Sequence, residues 1–206
     1  MPKVPKNVVV VGAGSAGVSI IKNLSAKLDP KEYNLILISS RSYFLHLIAT
    51  IRMVVASDGK LEDRIAIPLD RIFVNNNGRL VVGTIVSISD EGEKGGHVTL
   101  ASGETVDYSI LVLATGSTWE GPLALPNGKT EFDEWVNTWR AKFEKAEDIL
   151  LVGGGAVGVG TSHSSHSNPQ YTYGSHRICR RDQRILPGTR NLQNILTLFA
   201  SSHGFL

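Results

Sequence analysis

The chain has 206 residues, of which 42% are apolar and 19% charged, with a formal net charge of +2. That is enough apolar material for one buried core, or one and a fraction. The longest apolar runs, "VVVVGAG" and "ILVLATG", are strand-sized, so no transmembrane span is predicted. The lysines before "VVVVGAG" precede too short an apolar run for a secretory signal. A single cysteine, Cys179, excludes an internal disulfide and any C-x-x-C redox pair. The bland expectation is a soluble intracellular protein.

Residues 7–39 read as one βαβ unit. "NVVVV" is the continuous β-branched run of a parallel strand buried on both faces. "GAGSAG" follows at 12–17, and then a helical pattern places Val18, Ile21, Leu24 and Leu28 on one face. Asp29-Pro30 stops that helix, and "YNLILIS" forms the second strand. Residues 44–57 read as another helix, with Leu45, Ile48, Ile51 and Val55 spaced for a single buried face.

The alternation in "RLVVGTIVSIS" and "GHVTLASGETVDY", with turn residues in "DEGEKGG" and "ASGE", predicts a small antiparallel meander. "SILVLATGS" returns to the buried parallel type. Phe132, Trp135, Val136, Trp139 and Phe143 predict a helix over 129–145, with the tryptophans as core packing rather than ligand contacts. "DILLVGGGAVG" is a second strand running into a glycine turn, at Gly153, Gly155 and Gly158.

Beyond residue 160 the composition changes. Residues 1–160 hold 16 Lys plus Arg against 18 Asp plus Glu, and nineteen valines. Residues 161–206 hold five Arg, one acid (Asp182), seven serines, four of the six histidines and no valine. A helix from Thr161 to Pro169 is poor by propensity. The spacing of His163, His166, His176 and Cys179 matches no closed zinc framework, so no metal is expected. Apolar residues at 192, 195, 196 and 199 suit one short amphipathic helix.

The G-x-G-x-x-G between a strand and a helix points to dinucleotide binding. Gly12 allows the tight turn, Gly14 the close approach of a pyrophosphate, and Gly17 close packing of helix on sheet. The second strand ends in Ser39, Ser40 and Arg41, where an acid usually takes the ribose hydroxyls. From the residues alone an NADP-binding Rossmann reductase stays open, as does a non-catalytic nucleotide-binding protein.

The whole arrangement resembles the two-dinucleotide flavoprotein (pyridine nucleotide-disulfide) oxidoreductases. Within them it is similar to the apoptosis-inducing-factor-like group that includes the ferroptosis suppressor protein and fungal relatives. The stretches that carry this are "VVVVGAGSAG", "RSYFLHLIATIRMVV", "ATGSTWEGPLALP" and "EWVNTWRAKFEKAEDILLVGGGAVG", over residues 7–159. The resemblance implies an α/β fold: a Rossmann-like FAD-binding βαβ with a β-meander over 1–125, and a linking helix with the first strand of a second, NAD(P)H-binding Rossmann domain over 126–160. An atypical, irregular and poorly ordered basic tail would occupy 161–206.

It further implies FAD as cofactor and NAD(P)H as co-substrate. Gly12, Gly14, Ser15, Ala16 and Gly17 would hold the pyrophosphate, with Arg41 by the adenosine ribose and Arg52 near the FAD. The backbone of Ile85 would meet the adenine, and Ala114, Thr115 and Gly116 would close over the cofactor. Gly153, Gly155 and Gly158 would open the NAD(P)H site. No cysteine in 1–160 could form the flavin-side dithiol, which implies the branch passing electrons to a quinone or similar small acceptor, with no nucleic acid partner for the body of the chain. The family's later segments are not found after residue 160, so an incomplete chain is expected. The resemblance implies a cytoplasmic protein, associated with mitochondria or membranes.

Overall fold

The structure, a computed structural model, describes residues 4–57, 59–146, 148–152, 177–179 and 195–199. The chain divides into two compact units, Met1–His46 with Ala66–Ser117, and Leu47–Ile65 with Thr118–Leu206. The segment 47–65 thus belongs with the C-terminal unit, which makes both units discontinuous.

In the first unit, β1 (Lys6–Val11), α1 (Ser15–Lys27) and β2 (Tyr33–Ser39) form the expected βαβ. β1 pairs in parallel with β2, Val8 opposite Leu35 and Val11 opposite Ile38. On its other side it pairs in parallel with β9 (Ile110–Leu113), so the four-stranded order is β5-β2-β1-β9. β5 is Arg79–Val82, parallel to β2. The sequence places this segment in the meander; its short alternating run instead completes the parallel sheet, and the meander begins only after Gly83.

The two-residue period of the strands sorts the core into two layers. Val8, Val10, Leu35 and Leu37 join Ile21 of α1 with Leu69 and Ile72. Val9, Val11, Ile36 and Ile38 face the other way, against Val98, Leu100, Val106 and Tyr108. Those last four lie on β7 (Gly96–Leu100) and β8 (Thr105–Tyr108), which with β6 (Ile85–Asp90) make the antiparallel meander. Burial of β1 on both faces from Val8 to Val11 explains why those four residues carry no polar side chain.

Polar ties close the sheet's amino end. The Asn7 side chain donates to the Asp107 carbonyl at 2.9 Å and accepts from the Asn34 amide at 3.2 Å, while Ser109 N–H donates to the Asn7 carbonyl at 2.9 Å. At the C-terminal end of α1, Asn77 donates to the carbonyls of Ser25 (3.2 Å) and Leu28 (2.9 Å), and the Ser25 hydroxyl accepts from Val74 N–H. These bonds satisfy carbonyls that a helix end leaves without intrahelical partners.

A two-stranded antiparallel ribbon, β3 (Tyr43–Leu45) with β4 (Ala66–Pro68), flanks the excursion into the second unit. There the expected helix over 44–57 is shorter. α2 spans Leu47–Val55, because Tyr43–Leu45 is strand. Its buried face is Thr50, Met53, Val54 and Val55, whereas Ile48 is 84% exposed. α3 is the single turn Glu62–Ile65.

α4 (Lys129–Lys145) matches the expected helix at both ends. Phe132, Val136 and Phe143 are buried, and the Trp135, Trp139 and Phe143 rings stack along the helix at 6.0 and 6.4 Å. Trp135 donates its indole N–H to the Pro122 carbonyl at 3.2 Å. The same helix buries Arg140, only 8% exposed, which the hydrophobic pattern alone does not flag. Its guanidinium grips both Glu62 oxygens, at 3.1 and 2.8 Å, while Nε donates to the Met53 carbonyl at 2.8 Å.

After α4, β10 (Asp148–Val152) lies in parallel between β11 (Arg177–Cys179) and β12 (Ile195–Phe199), in the order β11-β10-β12. Residues 177–179 and 195–199 thus lie in a parallel sheet, and the helix expected over 192–199 is strand at Ile195–Phe199, where Thr197 separates two apolar pairs.

Truncating Phe143 to alanine is expected to lower the unfolding free energy by about 3–5 kcal/mol, since its fully buried ring leaves a cavity. Denaturant titration of the purified chain reads this directly. The hydrogen bonds from Arg140 hold the Glu62 carboxyl below its ordinary range, against the opposing effect of partial burial. A folded state that prefers the carboxylate keeps this contribution above the ordinary carboxylate range and loses it as pH falls through the depressed value. The stability gap between wild type and Glu62→Gln is therefore expected to close below about pH 4. Unfolding midpoints measured from pH 7 to 3 test it, and a gap independent of pH refutes it.

Candidate dinucleotide-binding site

The carboxyl end of β1 is where the first unit gathers its expected site residues. Gly12 leaves the strand with its N–H bonded to the Ile38 carbonyl at 2.8 Å, and its φ of +99° is one that side chains rarely adopt. A Cβ there would collide with the Ala114 carbonyl. Gly17 is tied just as closely, since a Cβ on it would collide with the Gly12 carbonyl. These two glycines are therefore required by the protein's own packing: one for the turn, the other for bringing α1 onto it.

Gly14 is different. Its φ is −75°, open to any residue, and a Cβ built on it would meet nothing within 4 Å. Nothing in the chain itself requires a glycine here. Its missing side chain keeps space clear in front of α1, where Gly14, Ser15 and Ala16 are exposed. No side chain caps this helix and no acid lies in its first turn. The first intrahelical bond is Val18 N–H to the Gly14 carbonyl, which leaves the preceding amides directed outward at the positive end of the helix dipole. Such a donor set fits a pyrophosphate: neutral or positive, backbone-built and sterically open.

Ala114, Thr115 and Gly116 follow β9 directly. Ala114 N–H donates to the Val11 carbonyl at 2.8 Å, which sets this second turn beside the first, and Thr115 and Gly116 are exposed. At the end of β2, Ser39 is buried and its hydroxyl accepts from Arg41 N–H at 3.2 Å. The hydroxyl thus fixes the start of the loop that carries Arg41. Ile85 is partly buried against the cluster of Val9, Val11, Ile36 and Ile38. Arg52 belongs to the other unit, in the last turn of α2; it is exposed and takes part in none of the ion pairs among the described residues.

Gly153, Gly155 and Gly158 lie outside the described residues, as do His163, His166 and His176. What is described is the strand that leads into the second turn. β10 sits with its chain-order successors on opposite sides, β11 on one and β12 on the other. In open parallel sheets, that reversal of strand order marks the place beyond the strand's carboxyl end where ligands bind. Among the described residues no group of three or more His, Cys, Asp or Glu is placed to hold a metal, and no helix is long and apolar enough to cross a membrane.

One parallel sheet thus ends in a glycine turn, and the strand β10 of the other precedes a second glycine-rich stretch of sequence, the arrangement of an α/β protein with Rossmann-like sheets. Residues 6–179 match the profile of the pyridine nucleotide-disulphide oxidoreductases, and the chain belongs to that family. The match runs twenty residues past the resemblance seen over 7–159 and takes in β11. The chain is 42% identical over 107 residues to FAD-dependent oxidoreductase FVFD30 of Flammulina velutipes, covering 52% of this chain and 33% of that protein. It is 31% identical over 155 residues to apoptosis-inducing factor homolog B of Dictyostelium discoideum, covering 74% of this chain and 36% of that protein. The chain thus spans about a third of the length of these curated relatives. The NADH:rubredoxin oxidoreductase of Clostridium acetobutylicum shares the fold, with a TM-score of 0.52 at 20% identity over 79% of this chain and 42% of that one.

The three glycines are expected to separate under mutation. Gly14→Val should leave folding intact while weakening dinucleotide binding at least about tenfold, by filling the cleared space. Gly12→Ala and Gly17→Ala should lower thermal stability, because each sets a methyl group against a backbone carbonyl. Circular dichroism melts and equilibrium dialysis on the same preparations decide it; a Gly14→Val chain that binds normally removes the argument for a ligand at this turn.

Proposed function

We propose that the first glycine turn binds the pyrophosphate of FAD and that the chain contributes to an NAD(P)H oxidoreductase delivering electrons to a quinone or similar small acceptor. The observation that carries the reading is the contrast at the turn: Gly12 and Gly17 are held by the chain's own packing, whereas Gly14 leaves open space before an uncapped helix. Bound FAD supplies two-electron acceptance from a nicotinamide and release to the acceptor.

In this reading the amides following Gly14, on Ser15, Ala16 and Gly17, donate to the pyrophosphate, and no acid in the first turn opposes its charge. Arg41 serves the adenosine ribose, with its loop anchored by Ser39. Ile85 offers its backbone to the adenine, and Ala114, Thr115 and Gly116 close over the cofactor. The turn at Gly153, Gly155 and Gly158 receives NAD(P)H; its support is the family match and the strand order around β10. The likeness to apoptosis-inducing factor homologues favours association with mitochondria or a membrane surface.

The visible spectrum of the purified chain is the test. The expected result is a yellow protein with a flavin absorption band, bleached anaerobically by NADH or NADPH and restored by a soluble quinone. A folded, colourless chain with no affinity for added FAD refutes the cofactor assignment. NADPH competing for the Gly12–Gly17 site would instead favour an NADP-type reductase. Flavin binding without reduction by either nicotinamide would leave a non-catalytic nucleotide-binding role.

A further inference from the structure

Residues 74–78, which lead into β5, close over the carboxyl end of α1 and hold two neighbours for unrelated reasons. Asn77 caps the helix: its amide nitrogen donates to the carbonyls of Ser25 and Leu28, at 3.2 and 2.9 Å. Gly78 has a φ of +144°, and a Cβ on it would collide with the Phe73 ring. One position needs a side-chain amide to satisfy a helix end, and the next can carry no side chain. Packing thereby sets an asparagine directly before a glycine. In that pair no side chain screens the asparagine's amide carbon from the backbone nitrogen that follows it.

The closed segment keeps both groups engaged. The Asn77 amide nitrogen is tied to two carbonyls, and Gly78 N–H donates to the Asn76 carbonyl at 3.1 Å. Asn77 itself lies at φ −83° and ψ 82°, an inverse γ-turn. The start of the segment is anchored by the buried Ser25 hydroxyl, which accepts from Val74 N–H at 3.0 Å and donates to the Lys22 carbonyl at 3.2 Å. Asn75 and Asn76 are exposed and left-handed, with φ of +57° and +56°. An opening confined to this segment, with the sheet intact, releases Asn77 and Gly78 together.

We propose that Asn77 is a site of spontaneous deamidation, gated by the opening of residues 74–78. In the open segment the Gly78 nitrogen bonds to Cγ of Asn77 as the Cγ–Nδ2 bond breaks. Ammonia leaves with the proton that the Gly78 nitrogen gives up, and a cyclic imide remains. Water then adds to either imide carbonyl, giving an aspartate, or an isoaspartate whose main chain is longer by a methylene. The step needs only water and changes no oxidation state.

Either product exchanges two donated hydrogen bonds for a carboxylate facing the Ser25 and Leu28 carbonyls, at the negative end of the α1 dipole. The isoaspartate also lengthens the chain just before Arg79, the first residue of β5, which pairs in register with Ile36 of β2. The modification therefore removes the cap of α1 and keeps the segment from closing as before.

The test uses the full chain, incubated folded and in denaturing urea, with peptide mass spectrometry separating asparagine, aspartate and isoaspartate forms. A second Asn-Gly pair, Asn127 with Gly128, lies in the other unit and serves as a reference in the same digests. Conversion at Asn77 is expected to be about ten- to hundredfold slower in the folded chain, the equilibrium cost of releasing two hydrogen bonds. Ser25→Ala, which frees the segment at Val74, should speed conversion at Asn77 in the folded chain about three- to tenfold and leave Asn127 unchanged. Asn77→Asp, which puts the product's charge at the cap, should lower the thermal midpoint by about 4 °C or more.

Equal rates in the folded and unfolded chains overturn the gating, as does an acceleration in Ser25→Ala that Asn127 shares. A folded chain that shows no conversion at Asn77 while the unfolded chain converts fully overturns the site. An Asn77→Asp chain that melts with wild type overturns the effect on α1. Should Ser25→Ala not fold, the wild-type rate is read across urea below the unfolding midpoint. A rate at Asn77 that climbs before the chain unfolds supports the proposal, and a flat one overturns it.

Discussion

At the carboxyl end of the first parallel sheet, everything depends on how closely two turns lie against each other. The Ala114 carbonyl occupies the place where any side chain on Gly12 would stand, and the Gly12 carbonyl occupies the place of one on Gly17. This chain of close contacts sets the height of α1 above the sheet and the direction of its first amides. It also explains why residues 12 and 17 must be glycine. Gly14, free of the same constraint, is where the protein's packing stops and room for a ligand begins.

The sheet behind these turns was readable from the sequence because its physics is local. A run such as Val8–Val11 buried on both faces, or the i, i+4, i+11 spacing of Phe132, Val136 and Phe143, carries its burial in its own residues. The misread elements are those settled by neighbours. Arg79–Val82 alternates like a meander strand, yet β2 offers it a parallel edge. Phe44 and Leu45 fall in a helical window over 44–57, yet they pair as a ribbon with Ile67 and Ala66. Ile195–Phe199 has helical spacing with Leu192, but β10 pairs with it as strand.

Arg140 shows the limit most clearly. Its partners lie 78 and 87 residues away, so nothing near it in the sequence marks it as anything but a solvated helix position. Of the candidate site, the glycine turn and its companion after β9 were legible because backbone conformation and close approach demand particular small residues. The clamp of Arg140 on Glu62 and Met53 was not legible, because it is assembled from α2, α3 and α4 together. The contrast follows from the interactions: steric exclusion writes itself into residue type, whereas a hydrogen bond to a backbone carbonyl leaves no trace in the partner's sequence.

The amide ties around Asn7 lie at the far end of the same strands from the glycine turns. They join β1 to β2 through Asn34, to the backbone at Asp107 in β8, and to the residue preceding β9. The sheet is thus bound across its amino end by side-chain amides as well as backbone, while its carboxyl end is joined by backbone bonds alone, Gly12 to Ile38, Gly83 to Ser39 and Ala114 to Val11. Fluctuation has an easier route at the carboxyl end, and an opening there can run its course without separating the strands. An opening at the Gly12–Gly17 turn is thereby a local event rather than unfolding of the whole sheet.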